Sequence, residues 1–279
     1  MNDPLSLKLQ RAKQPNDNRM TMNDNKLHLI ISLLIIIVAN SSCKTFFNKD
    51  HSLKPEEYQQ LGMPDYKKVW TNDDYISSNI TLSSLKMNDP LSLPRKNSRK
   101  SGVLFKRMVN EGNLAFIHDT IFPLRTRAYT IQYYPRFQSE MEQMYTIEYQ
   151  GRMYYSEELP DLHIFGLIVH DKMLELGWII DRSDDKDVAS IKGGMTAVRY
   201  NYLKLIPRLL GELAKSEQYS IEDICRLSKS ISASITKNSE WMTSSEKEYL
   251  LEELKKAAET IKSPGINENL KSCTDVLNR

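Results

Sequence analysis

Leu159–Ile180 reads LPDLHIFGLIVHDKMLELGWII. Leu159, Leu162, Phe165, Val169, Met173, Leu176 and Ile180 step by three and four, the spacing that places side chains on one face of an α-helix. Ile164, Leu167, Ile168 and Leu174 form a second stripe on the other side. A helix that is apolar on two faces must be covered on both, so this stretch predicts the central helix of a bundle.

Downstream, Val188, Ile191, Met195, Val198, Tyr202, Leu205 and Leu209 keep the same step and predict one long helix, kinked at Pro207. Gly193-Gly194 should weaken it by about 1 kcal/mol per glycine relative to alanine and admit a neighbour closely. Ile221, Ile224, Leu227, Ile231 and Ile235 mark a further helix, started by Ser220 with Asp223 at the capping-box position. Leu250, Leu254, Ala257 and Ile261 mark another, capped by Thr243 or Ser244 and stopped by Pro264-Gly265, with a short helix to follow. Consecutive helices joined by short loops predict a mainly α fold, an antiparallel multi-helix bundle over residues 70–279.

Upstream, Thr71 or Asn72 caps a helix carrying Tyr75, Leu82 and Leu85, ended by Pro90 and Pro94. Ser98 or Ser101 starts a second, with Val103, Leu104, Met108 and Val109. A helix is expected from about Pro135 to Tyr149. Its rival is a hairpin, Tyr145–Tyr149 returning at Arg152–Tyr155 across Gln150-Gly151, a weak turn pair. Composition agrees with helices: 10 Gly and 11 Pro in 279 residues are few for a turn-rich all-β chain. Three cysteines exclude a disulfide scaffold.

The N-terminal part carries a different signal. Leu29–Ala39 (LIISLLIIIVA) is aliphatic but for Ser32, and Arg19 and Lys26 precede it. A basic lead, an apolar core of about 7–15 residues and small residues at a cut site describe a secretory signal. Leu27 to Ala39 is 13 residues, about 20 Å of helix, too short for a hydrocarbon core of about 30 Å. Met1–Leu7 (MNDPLSL) recurs at Met87–Leu93, which is best read as a partial duplication or a start codon placed too far upstream, with Met20 and Met22 as the other candidates.

Ala39-Asn40-Ser41-Ser42-Cys43 resembles a bacterial lipobox, with Asn40 where an aliphatic residue is usual. The chain is similar in this segment to uncharacterised helical lipoproteins of Gram-negative bacteria. The resemblance implies removal of residues 1–42, acylation of Cys43 (palmitate among the chains) and a lipid-anchored protein. Residues 43–69, with Pro55, Gly62 and Pro64, are expected to be a polar tether. Lys44-Thr45-Phe46-Phe47 is neither a surface-export acidic cluster nor an inner-membrane aspartate signal, so the resemblance implies the outer membrane, facing the periplasm. Residues 1–42 hold five bases and three acids. Taken from 38 Lys+Arg and 36 Asp+Glu, this leaves 33 of each, so a neutral mature chain gives no reason to expect nucleic acid as a partner.

His163 and His170 lie seven apart on one face of the central helix, with Asp171 and Glu175 nearby. Two histidines and a carboxylate suit Zn²⁺, but no HExxH and no third ligand at a diagnostic spacing accompanies them. Asp181–Asp187 alternates oxygen side chains, yet Lys186 and Lys192 stand where a calcium loop needs Gly and Glu. Cys225 and Cys273 can pair in an oxidising compartment or remain as thiols. Arg199-Tyr200-Asn201-Tyr202, Tyr133-Tyr134 and Tyr154-Tyr155 suit core and helix-interface packing better than a ligand groove. There is no GxSxG, P-loop or GxGxxG at a strand–helix junction. The expectation is a tethered, non-catalytic interaction protein without a cofactor, of immunity or envelope-assembly type. The alternative is an enzyme or a small-ligand or metal binder using the His163/His170 face.

Overall fold

The computed structural model describes residues 50–278. Its order is α1 (Pro55–Gln60), α2 (Asn72–Asn88), α3 (Gly102–Met108), α4 (Leu124–Ile131), α5 (Tyr134–Tyr145), a hairpin of β1 (Glu148–Tyr149) and β2 (Arg152–Met153), α6 (Leu159–Arg182), α7 (Gly194–Ala214), α8 (Ile221–Asn238), α9 (Ser244–Thr260) and α10 (Pro264–Leu277). Short 3₁₀ turns separate several of them. The fold is mainly α, as the periodicity predicts. Residues 1–49, which hold the expected signal segment, Cys43 and the first MNDPLSL copy, lie outside the described residues.

Helix α6 is the axis. Leu162, Phe165, Leu167, Val169, Leu174 and Leu176 are all buried on it, so both apolar stripes are covered. Helices α5, α7 and α8 pack against it. On one side an aromatic core gathers Trp70, Tyr75, Tyr134, Phe137 and Phe165, with Tyr75 stacked on Phe137 at 5.7 Å between centroids and 3° between planes. On the other side Leu167 and Leu174 join Leu205, Ile206, Leu209, Ile224, Ile231, Leu250, Leu254 and Leu270 in an aliphatic core.

Capping chemistry sets the starts. Thr71 and Thr243 form capping boxes with Asp74 and Glu246, and Ser220 accepts from the Asp223 N–H at 3.1 Å. Pro264 falls at the first turn of α10, where its missing N–H costs nothing, so it begins a 14-residue helix as well as following α9.

Four expectations need correction. The single long helix from Val188 is split: Lys186–Ile191 is 3₁₀, and α7 begins at Gly194. The glycine pair breaks the helix there, and no atom lies within 4 Å of a Cβ built on either, so no neighbour uses the space. Helix α5 ends at Tyr145, four residues early, and the rival hairpin follows it. Gln150 and Gly151 supply the two positive φ angles, 51° and 74°, that a tight hairpin turn requires. Residues 50–69, expected to belong to the polar tether, are part of the compact unit that begins at Asp50. Tyr58 and Met63 are buried in it, and Tyr58 donates to the Ser92 carbonyl.

The bundle is only partly antiparallel. Helices α5 and α7 run against α6. Asp161 meets Arg226 while Glu175 meets Lys237, so α6 and α8 run parallel. Ser228 meets Asn269 and Ser232 meets Ser272, so α8 and α10 run parallel too. That register bears on the cysteines. Cys225 is level with about Ile266, and Cys273 with Ser232, two turns away. Two turns are about 10 Å, beyond the Cα separation of roughly 7 Å that a disulfide tolerates. Both thiols are free, Cys273 buried and Cys225 half-buried.

Candidate functional site

Gln138 and Glu142 are one turn apart on the buried face of α5, beside Phe137, Met141 and Tyr145. Helix α6 crosses there because Gly166 has no side chain; a Cβ would lie 2.8 Å from the Gln138 amide. This close approach brings His163 to Glu142. His163 donates its Nδ1–H to Glu142 Oε1 at 2.7 Å, and Arg208 of α7 donates to Oε2 at 2.7 Å. Gln138 Nε2 also donates to Oε1. Burial pushes Glu142 towards the neutral acid, but the His163 hydrogen bond and charge and the Arg208 guanidinium outweigh it and hold its carboxyl below the usual range.

These groups line a cleft of about 570 Å³ with Lys204, Glu212 and Tyr219. Glu212 accepts from Lys215 and Tyr219, both at 2.8 Å, and those bonds overcome burial to keep it ionised. Within this network one polar atom stands alone: His163 Nε2 is buried without a partner.

The four residues singled out on α6 separate. His170 lines the same cleft but donates Nδ1–H to the Gly166 carbonyl of its own helix at 2.9 Å, and burial holds it neutral. Asp171 turns to α8, accepting from Ser234 and Asn238, with burial raising its pKa. Glu175 pairs with Lys237 at 3.2 Å. Each imidazole has committed Nδ1, and positions seven apart on a helix stand about 10 Å apart, so one Zn²⁺ with bonds near 2 Å does not reach both Nε2 atoms. Among the described residues no three His, Cys, Asp or Glu side chains converge as a metal site. Sequence reasoning named His163 but missed Gln138, Glu142 and Arg208. The available signal was a Gln and a Glu four apart inside an apolar helical stripe.

A second feature is a groove of about 1060 Å³ between α2 and α5. The two helices run parallel, stitched by Asn79 to the Phe137 carbonyl and Glu140, and by Lys86 to the Gln143 carbonyl. Phe137 and Met144 line the groove from α5, where both are largely buried. Along its rim Ile76, Ile80 and Met87 are 47%, 67% and 78% exposed, with Tyr133 at one end.

A third cluster closes the N-terminal end of α6. Lys96 bridges Asp161 and Asp223 at 3.5 and 2.9 Å, and Arg226 joins the same two carboxylates. Arg95 lies over the rings of Tyr154 and Tyr155 and 3.6 Å from Glu158. These contacts fasten the loop after α2 to the starts of α6 and α8.

Among the described residues no helix is long and apolar enough to cross a membrane. No family model, no curated protein and no solved structure matches the chain.

Proposed function

We propose that the protein is a lipid-anchored envelope protein that works by binding another protein, and that the α2–α5 groove receives an amphipathic helix of that partner. The observation that carries the reading is the row Ile76, Ile80 and Met87, large apolar side chains left in solvent at i, i+4 and i+11 on one helix. That spacing fits an apolar helix face laid along the groove, and the rim of Asp73, Lys86, Arg136 and Glu140 offers both charge signs to its polar flanks. The anchor is supported by the lipobox-like Ala39–Cys43. The absence of an acidic cluster or aspartate after Cys43 supports a periplasm-facing place at the outer membrane. An immunity or envelope-assembly role suits such a module. Catalysis is not needed to explain the charged cleft: Glu142 has both oxygens engaged, and its partners complete a structural network.

The test is photocrosslinking in cells from the full chain, with the probe at Ile80 and, as a control, at the exposed Lys255. A discrete protein adduct from position 80 alone, lost when Met87 becomes Asp, is expected; equal adducts from both positions, or none, overturn the groove assignment. Cys43→Ala should abolish palmitate labelling and leave precursor unprocessed; unchanged labelling overturns the anchor.

A second reading rests on His163 Nε2. A buried nitrogen without a partner beside a cleft with Lys204 and Arg208 suits a small ligand that completes its hydrogen bonding. A ligand of this kind should move the His163 imidazole resonances in an NMR titration; a panel of small anions that leaves them still removes this reading.

A further inference from the structure

The place where the chain joins the folded unit is fixed. Asp50 accepts hydrogen bonds from the Ser52 N–H at 3.0 Å and from the Ser98 hydroxyl at 2.6 Å, and Lys100 donates to the Ser52 carbonyl at 3.2 Å. The first described residues are therefore held against the turn that opens α3. That turn and the outer face of α3 are exposed together: Arg99 and Lys100 in the turn, and Val103 and Lys106, three apart, on the helix. Val103 is 53% exposed, and among the described residues neither Arg99 nor Lys106 has a carboxylate within ion-pairing distance, while Lys100 is held on the Ser52 carbonyl near Asp50.

Six residues, Lys44 to Lys49, separate Cys43 from Asp50, and they carry two lysines and no acid. Seven residue steps span at most about 25 Å when fully extended. A unit of this length has an expected radius of gyration of about 17 Å, hence a width of roughly 45 Å. A tether shorter than the unit is wide does not let the unit turn its far side to the anchoring surface. The side that carries Asp50 must be the near side.

We propose that this near side is a membrane-docking face: Arg99, Lys100 and Lys106, with Val103 between them, rest on the anionic phospholipid headgroups of the bilayer that holds the acylated Cys43. The proposal rests on the lipid-anchor reading given above. It does not need a charged protein, since the mature chain is neutral overall. It needs only that the exposed Arg99 and Lys106, with Lys100 beside them on the Ser52 carbonyl, lie within about a Debye length, roughly 8–10 Å, of the headgroups, where attraction to anionic lipid acts. The apolar Val103 suits the headgroup boundary, and the lysines flanking Phe46-Phe47 continue the same composition to the anchor.

The experiment uses the acylated mature chain reconstituted into vesicles of phosphatidylcholine alone or of phosphatidylcholine with phosphatidylglycerol. Lysine acetylation is read residue by residue in a digest, which also shows whether the Cys43 peptide carries acyl chains. Lys100 and Lys106 should react at least about threefold more slowly on the anionic vesicles at low salt, with Lys255 on α9 unchanged, and the difference should vanish in high salt, where screening removes surface attraction. In Arg99→Gln/Lys106→Gln, which removes two exposed and unpaired charges, Lys100 should lose most of its protection. Acylated protein with equal Lys100 and Lys106 reactivity on both vesicles overturns the docking face while leaving the anchor intact. A Cys43 peptide without acyl chains overturns the anchor and the docking face with it. Protection on both vesicle types alike, or protection lost on detergent extraction of a co-purifying protein, assigns the face to something other than anionic lipid and also overturns the proposal.

Discussion

Glu158 is fully buried at the start of α6, and its Oε2 has no hydrogen-bond partner. Its Oε1 accepts from the Lys96 N–H at 2.9 Å, and the Arg95 guanidinium lies 3.6 Å away. Burial dominates over Arg95 and the Lys96 N–H, and pushes the carboxyl up to about 7. The folded state thus holds a proton that the unfolded chain, with a carboxyl near 4.3, has released. Stability should fall as pH rises from about 4.5 to about 7, by on the order of 3 kcal/mol if nothing else titrates, and level off above. Urea midpoints at pH 5 and pH 7.5 measure this, and Glu158→Gln, neutral throughout, should flatten the difference. An unchanged slope in the variant places the titration elsewhere. Glu142 has the opposite sign: His163 and Arg208 keep it ionised, so its contribution is present above the unfolded carboxylate pKa and lost as pH falls. Neither residue announces itself in sequence. A buried carboxylate differs from a surface one only in what folds around it, and here the partners come from α5, α6, α7 and the loop after α2.

Elements were more legible than their ends. The starts of α2, α8 and α9 follow from Thr71, Ser220 and Thr243, because a cap is a local hydrogen bond between residues three apart. The end of α5 did not follow. Tyr145 continues the helical stripe, and its exit is set by tertiary contacts, its hydroxyl donating to the Pro94 carbonyl at 2.8 Å. The same limit applies to glycines. Gly193-Gly194 looked like a close approach and is a break, whereas Gly166, unremarked within a strong helical pattern, is where α5 and α6 come together. Gly166→Ala therefore gains helix propensity of about 1 kcal/mol but drives a methyl into Gln138, displacing it from Glu142 and the Leu162 carbonyl. Overpacking of this kind typically costs 1–3 kcal/mol, so a net loss of up to about 2 kcal/mol in chemical denaturation is expected. The double variant Gly166→Ala/Gln138→Ala should recover much of it, since the clash is then gone; no recovery would mean the close approach is not at Gln138.

At the scale of the whole molecule, the mainly α class was readable because stripes at 3.6-residue spacing survive any packing, but the directions of the helices were not. Short loops make neighbours in sequence antiparallel, and nothing in a stripe says which non-neighbours touch. The pairs α2 with α5, α6 with α8 and α8 with α10 are all of that kind, and all run parallel. The register of the last pair decides the chemistry of the cysteines. Ser228 opposite Asn269 and Ser232 opposite Ser272 fix a shift of 40 to 41 residues between the helices, whereas a bond between Cys225 and Cys273 needs a shift of 48. Seven residues of mismatch is two full turns, so forming the bond means sliding α10 along α8 and emptying the sites of the buried Ile266, Leu270 and Leu277. Even in an oxidising compartment the two thiols should stay reduced. Alkylation of the unreduced, denatured protein should label both peptides, and a reductant should leave the melting temperature unchanged. In the native state Cys225, half-buried, should react well before Cys273, whose thiol is buried and pushed up in pKa by that burial. A Cys225–Cys273 peptide in the unreduced digest would overturn the parallel register itself, because no local adjustment of side chains closes a gap of about 10 Å.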